Sequence, residues 1–223
     1  MVNDQKSLNN LLSLISDNGF SNDLILMGSW NEYFYNKIYS NYDTYMATLD
    51  IDLYCIDRNI EKQDKDLYSL LIENGFVCNH DYLTNKTTFL NSDFEIEFLH
   101  RNTRKMESTT KVEKLGVVAE CLNGLEDAEK YTINYHDETY DYDVKILNPA
   151  YYCIHKIIIN DKRKQDKKEK DSISINNIIK LILGNDSLKK EYKNIINSLS
   201  KKQISDYHKN IKLLKIEDLV TKI

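Results

Sequence analysis

Leu49–Ile56, LDIDLYCI, alternates strictly: Asp50, Asp52 and Tyr54 fall on one side, and Ile51, Leu53 and Cys55 on the other. A period of two is the signature of a β-strand, because successive side chains leave opposite faces. The apolar set anchors the strand in a core. The two aspartates then leave the same face, roughly 6.5–7 Å apart at Cα. Facing inward, such a pair is costly unless a cation neutralises it. Mg²⁺ suits the task, since it takes oxygen ligands from one or two carboxylates together with substrate phosphates. Taken alone, the same pattern also describes the solvent face of an ordinary strand.

Upstream, Leu8, Leu11, Leu12 and Ile15 mark an amphipathic helix over residues 7–16, ended by Asn18-Gly19. Asp23–Met27 (DLILM) is a short buried strand that runs straight into Gly28-Ser29, with a helix over residues 30–39 and an exposed loop over residues 40–48 to follow. Glycine lets a backbone approach a phosphate closely. Ser29 and the first N–H groups of the next helix would then bind a triphosphate. Gly-Ser is also an ordinary turn.

Downstream, a helix over residues 63–74 precedes strands at residues 76–83 and 87–90. Phe94–Leu99 (FEIEFL) alternates again, with Glu95 and Glu97 opposite Phe94, Ile96 and Phe98. Either glutamate adds a third carboxylate from a second strand. Residues 112–124 fit strand or helix equally. Strands follow at residues 131–135 and 144–147. Beyond Pro149, well placed for a helix's first turn, residues 150–160, 173–183, 187–199 and 201–213 read as four helices. The expected fold is α+β: a small mixed sheet with packed helices over residues 1–147, and a helical half over residues 148–223.

A formal net charge of -5 argues against a protein that grips duplex DNA through its backbone, though not against nucleotides. The longest apolar run, Tyr152–Ile159, is broken by His155 and Lys156, so no membrane span is expected. The N-terminus lacks a basic region followed by an apolar core, and no secretory signal is expected. Cys55, Cys78, Cys121 and Cys153 form no CxxC pair and read as free thiols of a cytoplasmic chain. Trp30 reads as a core residue, and the run Lys162–Lys170 as either a solvated face or a phosphate contact.

The string LILMGSW…TLDIDLY…FEIEFL resembles the DNA polymerase beta-like nucleotidyltransferases: a strand, Gly-Ser, a hydrophobic-Asp-hydrophobic-Asp strand, then a third acidic strand. The resemblance covers about residues 23–175. It is strongest toward bacterial stand-alone nucleotidyltransferases, among them relatives of abortive-infection toxins. In those, a segment similar to NPAYYCIHKIIINDKRKQDKKEKD (148–171) opens the helical half, with Lys156, Arg163, Lys167, Lys170 and Asp171 at matching places. The sequence departs from the pattern in a longer gap between Gly28 and Asp50, and in Glu rather than Asp at the third position. Glu97 matches that position better than Glu95, because Ile96 and Phe98 fit the motif's apolar flanks.

The resemblance implies a metal-dependent enzyme that moves a nucleoside monophosphate from an NTP to an acceptor hydroxyl on RNA (such as a tRNA end), a protein or a small molecule. It would be toxin-like, with an antitoxin as a possible partner. Asp50, Asp52 and Glu97 would bind two Mg²⁺ (or Mn²⁺) ions roughly 3.5–4 Å apart, with the third carboxylate as general base. Gly28 and Ser29 would hold the triphosphate, and Lys156 would touch it. A catalytically silent nucleotide-binding or regulatory module with the same fold is the competing reading. A paired-acid nuclease fits less well, because neither Glu95 nor Glu97 is followed two residues later by lysine.

Overall fold

The computed structural model describes residues 2–43, 48–56, 66–102 and 108–223. The loop expected over residues 40–48 and the start of the helix expected over residues 63–74 lie partly outside them.

Compact packing divides the chain into two units, Met1–Asn31 with Met46–Leu147, and Glu32–Tyr45 with Asn148–Ile223. The first is built on a mixed sheet, nine-stranded among the described residues. Its strands are β1 (Leu24–Leu26), β2 (Asp50–Cys55), β3 (Val77–Asp81), β4 (Lys86–Leu90), β5 (Glu95–Arg101), β6 (Thr109–Val112), β7 (Val117–Leu122), β8 (Thr132–Asp137) and β9 (Tyr142–Leu147). The order is β3-β4-β5-β2-β1-β9-β8, with β7 joining β5 and β6 pairing with β7. β2/β5, β1/β9 and β5/β7 are parallel, while β1/β2, β3/β4, β4/β5, β6/β7 and β8/β9 are antiparallel. The sheet is larger than the small one expected. The undecided stretch 112–124 holds the turn of the β6–β7 hairpin and strand β7, and the turn places Gly116 at φ +68°, a conformation that favours glycine.

Ile51, Leu53, Cys55, Ile96 and Phe98 are buried as the alternation required. Each such side chain stabilises the fold by about 1.5–3 kcal/mol when fully buried. Helix α1 (Val2–Asp17) buries Leu8, Leu11, Leu12 and Ile15. Three bonds among the described residues tie it to the β8–β9 hairpin: the Tyr142 hydroxyl donates to Asn9 Oδ1 at 2.7 Å, Ser13 Oγ donates to the Tyr140 carbonyl at 3.1 Å, and the Asp143 N–H donates to Ser16 Oγ at 3.1 Å. Helix α2 (Trp30–Ile38) begins in this unit, where Trp30 is buried with its ring edge-on to Phe94 at 6.0 Å. Helix α3 (Leu67–Glu73) is capped by Asp66, which accepts from the Ser69 N–H at 2.8 Å.

The second unit is helical: α4 (Pro149–Ile159), α5 (Gln165–Leu183), α6 (Asp186–Ser198), α7 (Lys201–Leu213) and α8 (Glu217–Val220). Helix α4 starts with Asn148 as cap and Pro149 in its first turn, and it packs against α5, α6 and α7. The Asn210 side chain on α7 donates to the carbonyls of Ile157 and Ile158 at 2.9 and 3.1 Å, satisfying the last turn of α4. Residues 32–45 group with these helices through Glu32. Its buried carboxylate accepts from the hydroxyls of Tyr42 (2.7 Å), Tyr152 (2.9 Å) and Ser174. Helix α5 begins at Gln165 rather than at 173, so most of the basic run lies on its first turns. Cys55 and Cys153 are buried, and Cys78 and Cys121 are partly exposed. Among the described residues no helix is long and apolar enough to cross a membrane.

Candidate active site

β2 and β5 run side by side in parallel, with Asp50 opposite Glu95 and Asp52 opposite Glu97. Paired positions share a face, so the sequence-predicted carboxylates of both strands stand together on one side of the sheet. Strands in a sheet are about 4.8 Å apart, which places Asp52 and Glu97 as immediate neighbours. Asp50 is exposed at the strand's start, whereas Asp52, Glu95 and Glu97 are half-buried. Burial, and next the Asp52 charge, push the Glu97 carboxyl above the ordinary glutamate range, and Lys86 opposes them.

The Gly-Ser turn reaches the same place. Past β1, the Met27 N–H donates to the Asp52 carbonyl at 2.8 Å. Gly28 follows with φ +66°, and a Cβ there would sit 2.5 Å from Asp52 Oδ2. Glycine is required twice over: by the backbone conformation and by the carboxylate in that space. Ser29 then leads into α2, whose first N–H groups lack intrahelical partners and suit an anion.

Asn31 fixes this turn, a role the sequence reading did not assign. Its side chain is fully buried. Nδ2 donates to the carbonyls of Leu26 and Gly28, each at 3.0 Å, and Oδ1 accepts from the Leu147 N–H at 2.7 Å. One amide thus joins the end of β1, the Gly28 turn and the end of β9. Its sequence signal was no more than a polar residue between Trp30 and Glu32 at a helix start.

By donor type the carboxylates suit a hard divalent cation. The oxygens lie on one face, and Gly28 keeps the space beside Asp52 free of a side chain. Among the described residues no three His, Cys, Asp or Glu side chains come together as a group that could hold a metal ion. An open set of carboxylates is what Mg²⁺ uses when phosphate oxygens and water complete its shell.

Lys156 lies in the second unit, 8% exposed. Its ammonium is 2.6 Å from Asp171 Oδ1 and lies over the Tyr152 ring at 4.9 Å, while Arg163 Nε is 3.1 Å from Asp171 Oδ2. Lys167 and Lys170 are exposed on α5.

A family model described as nucleotidyltransferase matches residues 6–199, a span that takes in the Gly-Ser turn, both acidic strands and most of the helical unit. The chain belongs to this nucleotidyltransferase family. Among solved structures it is similar to an antigenic nucleotidyltransferase-like protein from Paracoccidioides brasiliensis, with a TM-score of 0.56 over 96% of this chain and 92% of that one. At 12% identity that likeness speaks for a nucleotidyltransferase-like fold. No curated protein matches the sequence.

Proposed function

We propose that this nucleotidyltransferase is a metal-dependent enzyme that transfers a nucleoside monophosphate from an NTP to an acceptor hydroxyl. The observation that carries the reading is the registered Asp52–Glu97 pair with Gly28 held against Asp52. In this reading Gly28 and Ser29 present backbone N–H groups and a hydroxyl to the triphosphate. Asp50, Asp52 and Glu97 provide oxygen ligands for two Mg²⁺ or Mn²⁺ ions. Bound there, the ions would offset charge on the phosphates and acidify the acceptor hydroxyl. Glu97 would accept the proton of that hydroxyl. Lys156 enters as a phosphate contact on the resemblance alone. The same resemblance suggests an RNA, protein or small-molecule acceptor, and a toxin-like role with an antitoxin partner.

One observation favours a catalytically silent nucleotide-binding module: the absence, among the described residues, of three converging ligands. A labelling assay separates the two. The protein and its Asp50→Ala/Asp52→Ala variant are incubated with each α-labelled NTP, Mg²⁺ or Mn²⁺, and cell extract. Label entering RNA, protein or a small molecule only with the intact acids supports transfer and reveals the acceptor class. Nucleotide binding without label transfer supports the silent module.

A further inference from the structure

Lys86 stands on the acidic face and has no part in the reading above. β4 pairs with β5 so that Thr88 lies opposite Glu97, and Lys86, two residues from Thr88, leaves the same face. On β7, Glu120 lies opposite Leu99, one step along that face from Glu97. The Lys86 ammonium is ion-paired with Glu120. Both side chains line one recess together with Thr88 and Glu97. The Thr88 hydroxyl oxygen is buried with no hydrogen-bond partner.

Asp52 and Glu97 are like charges at directly paired positions, an arrangement that destabilises a sheet unless a cation offsets it. Lys86 supplies that cation. Its side chain lines the same recess as that of Glu97. Glu120 pairs with the ammonium, so the positive charge is held at the recess that Glu97 also lines.

We propose that Lys86, anchored by Glu120, is a positioning residue that keeps the Glu97 end of the acidic face from taking a divalent cation until a triphosphate is bound. The proposal rests on the metal-dependent reading above. Without nucleotide, a divalent cation at Glu97 meets the repulsion of Lys86. The negative charge of a triphosphate offsets that repulsion and opens the position. Metal uptake at the two ends of the face is thereby coupled to substrate.

The test is Mn²⁺ binding followed by electron paramagnetic resonance, with and without a non-hydrolysable triphosphate, at constant ionic strength. The native protein is expected to bind one Mn²⁺ alone and a second with the triphosphate. Lys86→Met is expected to take the second ion without nucleotide, with affinity on the order of tenfold higher, the scale of one unit charge acting over a few ångströms near a surface. Lys86→Arg is expected to behave as native. Glu120→Gln, which releases Lys86 toward Glu97, is expected to move affinity the other way. Opposite shifts in the two variants are a signature that mere loss of structure would not give. Unchanged nucleotide-free binding in a folded Lys86→Met protein overturns the proposal. Should Lys86→Met misfold, an unchanged Glu120→Gln overturns it equally. Native binding that survives Asp52→Asn undamaged would instead sink the metal-dependent reading itself.

Discussion

Asp52 is pressed from two sides: Glu97 faces it from the neighbouring parallel strand, and Gly28 leaves its carboxylate the room that any other residue's Cβ would fill. Both relationships concern the same few cubic ångströms, and neither favours the free protein's stability. Removing the charge should therefore separate activity from folding. Asp52→Asn is expected to lower nucleotide transfer by at least about 10²-fold, the scale seen when one electrostatic group of an active site is lost, with thermal stability equal to or above that of the native chain. Steady-state kinetics beside a melting curve check this; a variant that melts far below the native protein would make the carboxylate structural.

Gly28→Ala addresses the same space from the turn after β1. At φ +66° with a Cβ 2.5 Å from Asp52 Oδ2, alanine is expected to cost about 1–3 kcal/mol from backbone strain, and more from the clash. In the double variant with Asp52→Ala the clash disappears and the strain remains. The two substitutions should therefore cost less together than the sum of their separate effects, as denaturant unfolding of the four proteins would show.

These acids were legible in the sequence because the strand period is two: LDIDLYCI and FEIEFL separate charge from core without reference to anything distant. Which glutamate meets which aspartate was not legible, because it depends on the pairing of β2 with β5, a register fixed by the whole sheet. Asn31 was hidden for the same reason, since Leu147, which it holds, is 116 residues away. Lys86 was passed over inside KTTFL, and its partner Glu120 falls in the segment whose secondary structure stayed open. The start of α5 was missed because Lys164–Lys170 offers no apolar period, so propensity and packing rather than pattern determine it. Residues 32–45 joined the helical unit for a reason local pattern does not show: Glu32 finds its hydroxyl donors on α4 and α5.

Asn31→Leu should be among the more damaging changes in the first unit. It removes three hydrogen bonds and leaves the Leu147 N–H and the Leu26 and Gly28 carbonyls to find other partners. At about 1–3 kcal/mol for each buried group left unsatisfied, a loss of several kcal/mol is expected in urea unfolding. A loss below about 1 kcal/mol would show that water or backbone movement replaces the clamp.

Glu97 gives a pH signature. Its folded-state pKa lies above its unfolded value, so its contribution favours the folded state at low pH. That contribution is lost as pH rises from the ordinary glutamate range through the folded value. Glu97→Gln removes this dependence. The stability of the variant relative to native should therefore increase across that window and level off above it, by under about 1 kcal/mol because the side chain is partly screened by solvent. Urea midpoints measured from pH 4 to 8 on the metal-free proteins check the sign.

In the second unit, Asp171 lies between Lys156 and Arg163. Asp171→Ala leaves a nearly buried ammonium beside a guanidinium with no acid between them, and should cost about 3–5 kcal/mol. Lys156→Met combined with Asp171→Leu should recover much of that loss, since both charges of the buried pair are then gone. Equal stability of the single and double variants would show that Lys156 finds water or another acceptor.

The placement of Glu32 has a consequence for synthesis. It leaves the ribosome long before its partners: Tyr152 follows 120 residues later and Ser174 142 residues later. Through that interval the nascent chain carries a carboxylate and the tyrosines around it with their burial site unbuilt, while the eight strands β2 to β9 emerge in between. The helical unit can close only after α5 has appeared, because its two segments, residues 32–45 and 148–223, are separated in the chain by strands β2 to β9. A chain stalled or cut before Ser174 would expose that aromatic segment without its lid of helices, the kind of surface that chaperones hold and proteases find.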